Sequence, residues 1–221
     1  NKLFAYTWGP EIFPLLRRYV LSWSSSYIIF QLFTPIMFHF HGSVEAGKIG
    51  ISIAIFTSIF SVSNIWTTSV IPKINMAISK LDFIKLNYIF NRYFLLTICT
   101  YLLASMVIYI LYFIFKDRFM FFDRFVNLTA LIFLNFCWFG QLFIHNLSIY
   151  LRSYKEEPLL IPSILSAIYV FVSTILCASY LSVDLYFLGL ATMFLWLLPW
   201  VYIIYNRKKR FSLSLNKVNQ I

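Results

Sequence analysis

Two sets of polar side chains, set into otherwise apolar sequence, are where this chain could do chemistry. Asn135, Trp138, Gln141, His145, Asn146 and Ser148 follow one another closely, and on a helix they occupy one arc of roughly 160°. Thr57, Ser61, Asn64 and Thr68 recur at i, i+4, i+7 and i+11, a helical stripe roughly 60° wide. Amides, hydroxyls and an imidazole can do two things in such a setting. They can bond across a packed helix interface, or they can replace the hydration shell of a polar solute. The small hydroxyls of Thr57, Ser61 and Thr68 suit packing. An Asn, a Gln and a His sharing one face suit either role, and both stay open here.

Other chemistry is not encoded in recognisable form. The acids Glu11, Glu45, Asp82, Asp117, Asp123, Glu156, Glu157 and Asp184 all fall between or at the edges of apolar runs. No two of them flank a buried position where a reacting group could sit. There is no phosphate-cradling glycine loop, no nucleophile elbow and no His-Glu-x-x-His. His39 and His41 straddle the end of an apolar run, the place of interfacial polar residues. Cys99, Cys137 and Cys177 share no metal-ligand spacing and read as small packing residues. The sequence therefore predicts no catalytic residue, no metal and no cofactor.

The elements that must position the polar arcs follow from composition. Of the 221 residues, 61% are hydrophobic, 21% aromatic and only 12% charged, with a mean hydropathy of +0.79. Soluble domains carry about 25% charged residues, so these side chains cannot coat a water-soluble globule. Six apolar runs stand between charge clusters: 19–40, 51–72, 93–115, 126–151, 159–183 and 185–206. Each is long enough for a helix to cross a hydrocarbon core of about 30 Å, and none alternates as a barrel strand would. The expected fold is an all-α integral membrane bundle of six transmembrane helices. On the fourth run, Ile132, Phe133, Phe136, Phe139, Phe143, Ile144 and Leu147 read as the lipid-facing side. Pro35 and Pro199 interrupt runs and can kink helices beside a cavity. Trp8, Trp23, Trp138, Trp196 and Trp200 fit interfacial belts and bundle packing.

Charge sets the orientation. Lys and Arg total 18 against 8 acids, for a net charge of +10. Counted on alternate sides of the six runs, 14 cations share a side with residues 1–18 and with the basic tail 207–221. Only Lys48, Lys116, Arg118 and Arg124 fall opposite. The positive-inside rule then predicts both termini in the cytoplasm. The cluster Arg207, Lys208, Lys209 and Arg210 directly follows a span, so its partner is an anionic membrane leaflet and not nucleic acid. Within Lys73–Arg92, apolar Ile74, Ala77, Ile78, Leu81, Ile84 and Tyr88 recur at helical spacing. That segment is expected as an amphipathic helix along the cytoplasmic interface.

The run from Ser22 to Pro72 also carries a resemblance. A serine-rich helix start is followed by Gln31, Phe33, Pro35 and Phe38. Then come Gly42, the turn Ala46-Gly47-Lys48-x-Gly50, and a span ending in Trp66 and Pro72. This pattern resembles the second half of bacterial polysaccharide and O-antigen flippases, within the multidrug/oligosaccharidyl-lipid/polysaccharide exporter superfamily. The resemblance covers about a third of the chain. It implies the second lobe of a twelve-helix transporter in the bacterial cytoplasmic membrane, moving lipid-linked oligosaccharide or polysaccharide precursor by alternating access. A missing N-terminal half or a second copy would complete the cavity, and a start at Asn1 agrees with a piece of a longer protein. Glycine in the Gly42–Gly50 turn reads as structural.

On that reading Asn64, Thr68, Asn135, Gln141 and His145 are expected to form the substrate pathway. Arg17 and Arg18 could meet the phosphates of the headgroup while also anchoring the cytoplasmic side. Two other classes remain at this stage: an integral-membrane enzyme of envelope polysaccharide biosynthesis, and a non-catalytic membrane scaffold. The topology can be checked directly by cysteine labelling. A cysteine replacing Ser43 should react with an impermeant reagent from outside the cell, while cysteines at Ser153 and Ser214 are shielded. The opposite pattern would sink the assignment.

Overall fold

Apolar runs in which every backbone N–H must find a partner within the chain become helices. The computed structural model of the chain describes residues 9–115 and 124–218, and among these it is all-helical. The helices are α1 (Gly9–Gln31), α2 (Phe33–Ser69), α3 (Ile71–Ser79), α4 (Phe83–Phe115), α5 (Leu128–Arg152), α6 (Leu160–Tyr180) and α7 (Leu188–Val218). Lys2, Trp8, Lys116, Asp117, Arg118 and Asp123, with the side chains of Glu11 and Lys217, lie outside the described residues. Five helical stretches are long and apolar enough to cross a bilayer: Leu16–Ser79, Phe83–Phe115, Leu128–Arg152, Leu160–Tyr180 and Val183–Ser214.

The first of these stretches is 64 residues long and does not run straight. Gly42 has φ 84° and ψ −176°, a backbone state essentially restricted to glycine. A Cβ placed on Gly50 would lie 3.8 Å from the Thr34 side chain. In a straight helix those residues would stand about 24 Å apart. The chain therefore folds back at Gly42, midway between them.

The structure departs from the sequence expectation at three places, each with a physical cause. The run 19–40 was expected as one helix, but the chain breaks at Leu32, between α1 and α2. Pro35 has no N–H for the carbonyl of Gln31, and it is tolerated in the first turn of the helix that starts afresh at Phe33. The segment Lys73–Arg92 is not one amphipathic helix. It divides into α3 and the first turns of α4 at a closed turn, in which Asp82 N–H bonds Ala77 O (2.9 Å) and Leu81 N–H bonds Ile78 O (3.0 Å). Leu81 adopts φ 57° there, the left-handed cap of a Schellman turn. The Asp82 carboxylate then accepts from Lys85 N–H (3.0 Å) to start α4.

The third departure concerns the face of α5 assigned to lipid. Ile132 and Phe136 are exposed, but Leu147 is buried. Phe143 packs edge-on against Phe94 (5.3 Å), and Phe139 lies 5.7 Å from Tyr101. Helix α4 covers the part of that arc at Phe139 and Phe143, while Ile132 and Phe136 stay exposed, and α5 also packs against α2 and α7.

Close approach and hydrogen bonds hold the bundle. A Cβ on Gly140 would stand 2.7 Å from the Phe194 ring, so that ring of α7 lies directly against the α5 backbone there. Tyr186 donates to the Phe33 carbonyl (2.7 Å), and His41 Nε2–H to that of Ala178 (2.9 Å). The tight link between α6 and α7, a short 3₁₀ turn at Val183–Leu185, is fixed by Asn127 donating to Asp184 Oδ1 (2.6 Å).

The Gly42 reversal yields a paired test. Nothing lies within 4 Å of a Cβ at Gly42 or Gly47, so any penalty at either site is a backbone effect. Gly42→Ala should destabilise by about 1–3 kcal/mol. Gly47→Ala, within ordinary helix, should be neutral or stabilising by up to about 1 kcal/mol. Thermal unfolding of the purified variants in detergent reads both.

A polar groove between three helices

Three helices each turn one face toward a common space. Helix α1 contributes Trp23, Tyr27, Phe30 and Gln31, at helical spacing i, i+4, i+7 and i+8. The second half of α2 contributes Gly50, Ile53, Ala54, Thr57, Phe60 and Ser61, and α5 contributes Trp138, Gln141 and His145. Together they bound an open groove of about 650 Å³.

Its floor is aromatic. The rings of Phe30 and Trp138 stack at 4.9 Å, Trp138 meets Phe60 at 5.2 Å, and Phe60 meets His145 edge-on at 5.4 Å. This strip ties α1, α5 and α2 into one surface. Trp138 is 5% exposed, and its indole N–H has no acceptor among the described residues.

The polar groups on the wall are of two kinds. Thr57 and Ser61 donate to carbonyls one turn back, Ile53 O at 2.7 Å and Thr57 O at 2.8 Å. Their hydroxyl protons are spent, so toward the groove they offer lone pairs. Gln31, Gln141 and His145 have no side-chain hydrogen-bond partner among the described residues. An amide so placed can donate and accept, and the imidazole can do either at each nitrogen.

The groove continues. A second cavity, of about 510 Å³, shares Trp23 and His145 with it and adds Tyr19, Thr68, Asn75 and Arg152. A third, of about 470 Å³, shares Asn75, Arg152 and Ser153 with the second and ends at Lys155. The three adjoin in series from Gly50 to the ends of α3 and α5. Arg152 stands at their junction. Its Nε and Nη2 bond Glu157 Oε2 (2.7 Å) and Oε1 (3.0 Å), and Nη2 also donates to Ser22 Oγ (3.2 Å). Ser22 in turn donates to Ser163 Oγ (3.3 Å). The Glu157 side chain is fully buried, and the bidentate pairing is the geometry that makes such burial tolerable.

The residues singled out from sequence part company here. Gln141 and His145 face the groove, and Thr68 the second cavity. Asn64 does not line these spaces. It is buried between α2 and α5, accepting from Asn146 Nδ2 (3.0 Å) and donating to Phe60 O (2.9 Å). Asn135 faces α4, where its Oδ1 accepts from the Tyr101 hydroxyl (2.9 Å) and from Ser105 (3.2 Å). Arg17 and Arg18 are exposed on α1 and border none of the three cavities. The cations that do border them are Arg152 and Lys155. Sequence reasoning did not assign these cations, Gln31, Trp23, Phe30 or Phe60 to the pathway, and Trp138, though placed on the polar arc, read as a belt or packing residue. The available signal on α1 was register: Trp23, Tyr27, Phe30 and Gln31 recur on one helix face.

The five acids whose side chains are described have structural partners. Glu45 pairs with Lys48 (2.7 Å), Glu156 with Lys208 (2.8 Å), Glu157 with Arg152, Asp184 with Asn127, and Asp82 caps α4. None borders the 650 Å³ groove. Among the described residues no group of three His, Cys, Asp or Glu could hold a metal ion.

The Asn64–Asn146 bond gives a direct test of glue against pathway. Replacing either residue by Leu should cost about 1–3 kcal/mol by leaving the other amide unsatisfied. The double variant should lose less than the sum, with a coupling of about 0.6–1.7 kcal/mol, read by reversible unfolding in mixed detergent. Strict additivity would break the assignment. Compared with known proteins, the chain matches no family model, no curated protein and no solved structure.

Proposed function

We propose that this chain is one lobe of a membrane transporter that passes lipid-linked oligosaccharide or polysaccharide precursor across the bacterial cytoplasmic membrane. The observation that carries the proposal is the groove wall. Unpartnered Gln31, Gln141 and His145 lie beside a strip of stacked aromatic rings, on helices long enough to span a bilayer. In hydrocarbon each unsatisfied polar group costs several kcal/mol. Water and a passing polar solute satisfy them. Sugars have one face of C–H groups and a rim of hydroxyls, so flat aromatic surfaces beside amides and hydroxyl lone pairs suit them in both respects.

On this proposal the Leu16–Ser79 stretch counts as two crossings, because it reverses at Gly42, and the bundle has six. Both termini are then cytoplasmic. The series of three cavities supports a route from the groove to the cytoplasmic end, with Arg152 and Lys155 nearest its mouth. The bond from Arg152 to Ser22 ties α1 to α5 and α6 at that end, and alternating access requires such a tie to open and close. The groove has walls from α1, α2 and α5 and is open on its remaining side. A second lobe, whether the other half of a longer chain or another copy, closes it. On this reading the groove has no catalytic role: among the described residues no carboxylate borders it, and each described acid has a structural partner.

The test is export in cells. In a bacterium whose surface polysaccharide depends on this protein, Gln141→Leu combined with His145→Leu should reduce export about tenfold, as loss of two polar contacts implies, at unchanged membrane abundance. Unmodified lipid-linked precursor should accumulate. Phe136→Leu, on the lipid-exposed side, should leave export within about twofold. Full export from the stripped groove would refute the proposal. A changed polysaccharide structure would favour an enzyme.

A further inference from the structure

At the junction of α3 and α4 lies a separate cavity of about 390 Å³, which shares no residue with the groove or its continuation. Lys73, Lys80 and Lys85 line it over an apolar floor that includes Met76 and Ile89. All three lysines are exposed, and none forms an ion pair among the described residues. The one acid on the wall, Asp82, holds the Lys85 backbone N–H (3.0 Å). Three cations against one carboxylate leave the cavity strongly electropositive.

Its surroundings are equally specific. Met76, Leu81, Ile84 and Tyr88 are each more than half exposed. Leu81 occupies a left-handed cap position (φ 57°) at which glycine is the unstrained residue. Three lysines could not sit in hydrocarbon, and four large apolar side chains would not be left facing water. The site therefore belongs at the level where the two media meet. Helix length agrees. The 33 residues of α4 make a rod of about 50 Å, roughly 20 Å longer than a hydrocarbon core. Its first turns, which carry Lys85, project into the headgroup layer.

We propose that this cavity is a binding site for an acidic phospholipid of the adjoining leaflet. The headgroup phosphate sits among Lys73, Lys80 and Lys85, and the acyl chains run along Met76, Leu81 and Ile84. The ligand must be anionic and also amphipathic, because the lysines and the exposed apolar side chains are satisfied only together. A zwitterionic lipid would bring its own cation up against three others. The site is independent of the transport proposal, and its occupancy would hold the α3–α4 turn at a fixed depth.

Native mass spectrometry of the full chain in detergent tests this with dioleoyl phosphatidylglycerol and dioleoyl phosphatidylcholine as probes. The wild type should hold phosphatidylglycerol about tenfold more tightly than phosphatidylcholine. The triple variant Lys73→Gln, Lys80→Gln, Lys85→Gln should lose that preference while eluting from size exclusion as the wild type does. The corresponding triple Lys→Arg variant should keep it. Removing cations at the other end of the bundle, by Lys48→Gln and Arg124→Gln, should change affinity by less than about twofold. Millimolar inorganic phosphate should not displace the lipid. The proposal is overturned if the glutamine variant retains the preference or if the distant variant loses it equally. Displacement by inorganic phosphate would also overturn it.

Discussion

Hydrocarbon offers no hydrogen-bond partner, and the arrangement of this molecule depends on that one fact. The backbone responds by forming helices almost throughout. Side chains respond by pairing. Asn64 meets Asn146, Asn135 meets Tyr101 and Ser105, Thr67 meets Thr97 (2.8 Å), and Trp66 donates to Thr100 (2.9 Å). Each bond joins two different helices through residues at least 30 positions apart. Many serines and threonines without such a partner bond back to their own helix, as Ser52, Ser63 and Ser166 do. Against this background the groove wall stands out, because Gln31, Gln141, His145 and the Trp138 indole gather there with no side-chain hydrogen-bond partner among the described residues. The same constraint that explains the glue makes the groove informative.

The existence of the helices was legible from apolar run length, and the polar arc on α5 from helical periodicity. What that arc does was not legible, because periodicity gives a face but not its neighbour. Gln141 and Asn135 share the arc, yet Gln141 faces an open groove and Asn135 faces α4. The same holds for Asn64, which follows Ser61 by three residues and lands in the α2–α5 seam. The break at Leu32 could have been read from Pro35, since the missing N–H lies four residues after Gln31. The turn at Leu81 could not, because a leucine in a left-handed cap contradicts local preference. The lipid-facing arc of α5 failed for a related reason: phenylalanine suits a neighbouring helix as well as it suits acyl chains.

The ionic groups divide the molecule by depth. Lys48 with Glu45, and Asp184 with Asn127, hold one end of the bundle. Arg152 with Glu157, and Lys208 with Glu156, hold the other. The Arg152 pair is the costlier arrangement, since its glutamate is fully buried and would be strongly destabilising if left alone. It is also the one that reaches across to α1 through Ser22. The ends of the bundle are thus held by ion pairs, and the groove wall between them carries none.

Water in the groove is the central claim, and thiol accessibility measures it most directly. The exposed native Cys99 is first replaced by serine, the buried Cys137 and Cys177 being retained. Single cysteines are then placed at Gln31, Thr57 and Gln141 on the wall, at Asn64 in the seam and at Phe136 facing lipid. In native membranes the three wall positions should react with a charged, membrane-impermeant methanethiosulfonate about tenfold faster than the other two, in line with hydration on one side and hydrocarbon or packing on the other. If Thr57 and Gln141 are as protected as Phe136, the groove is dry and the account is wrong.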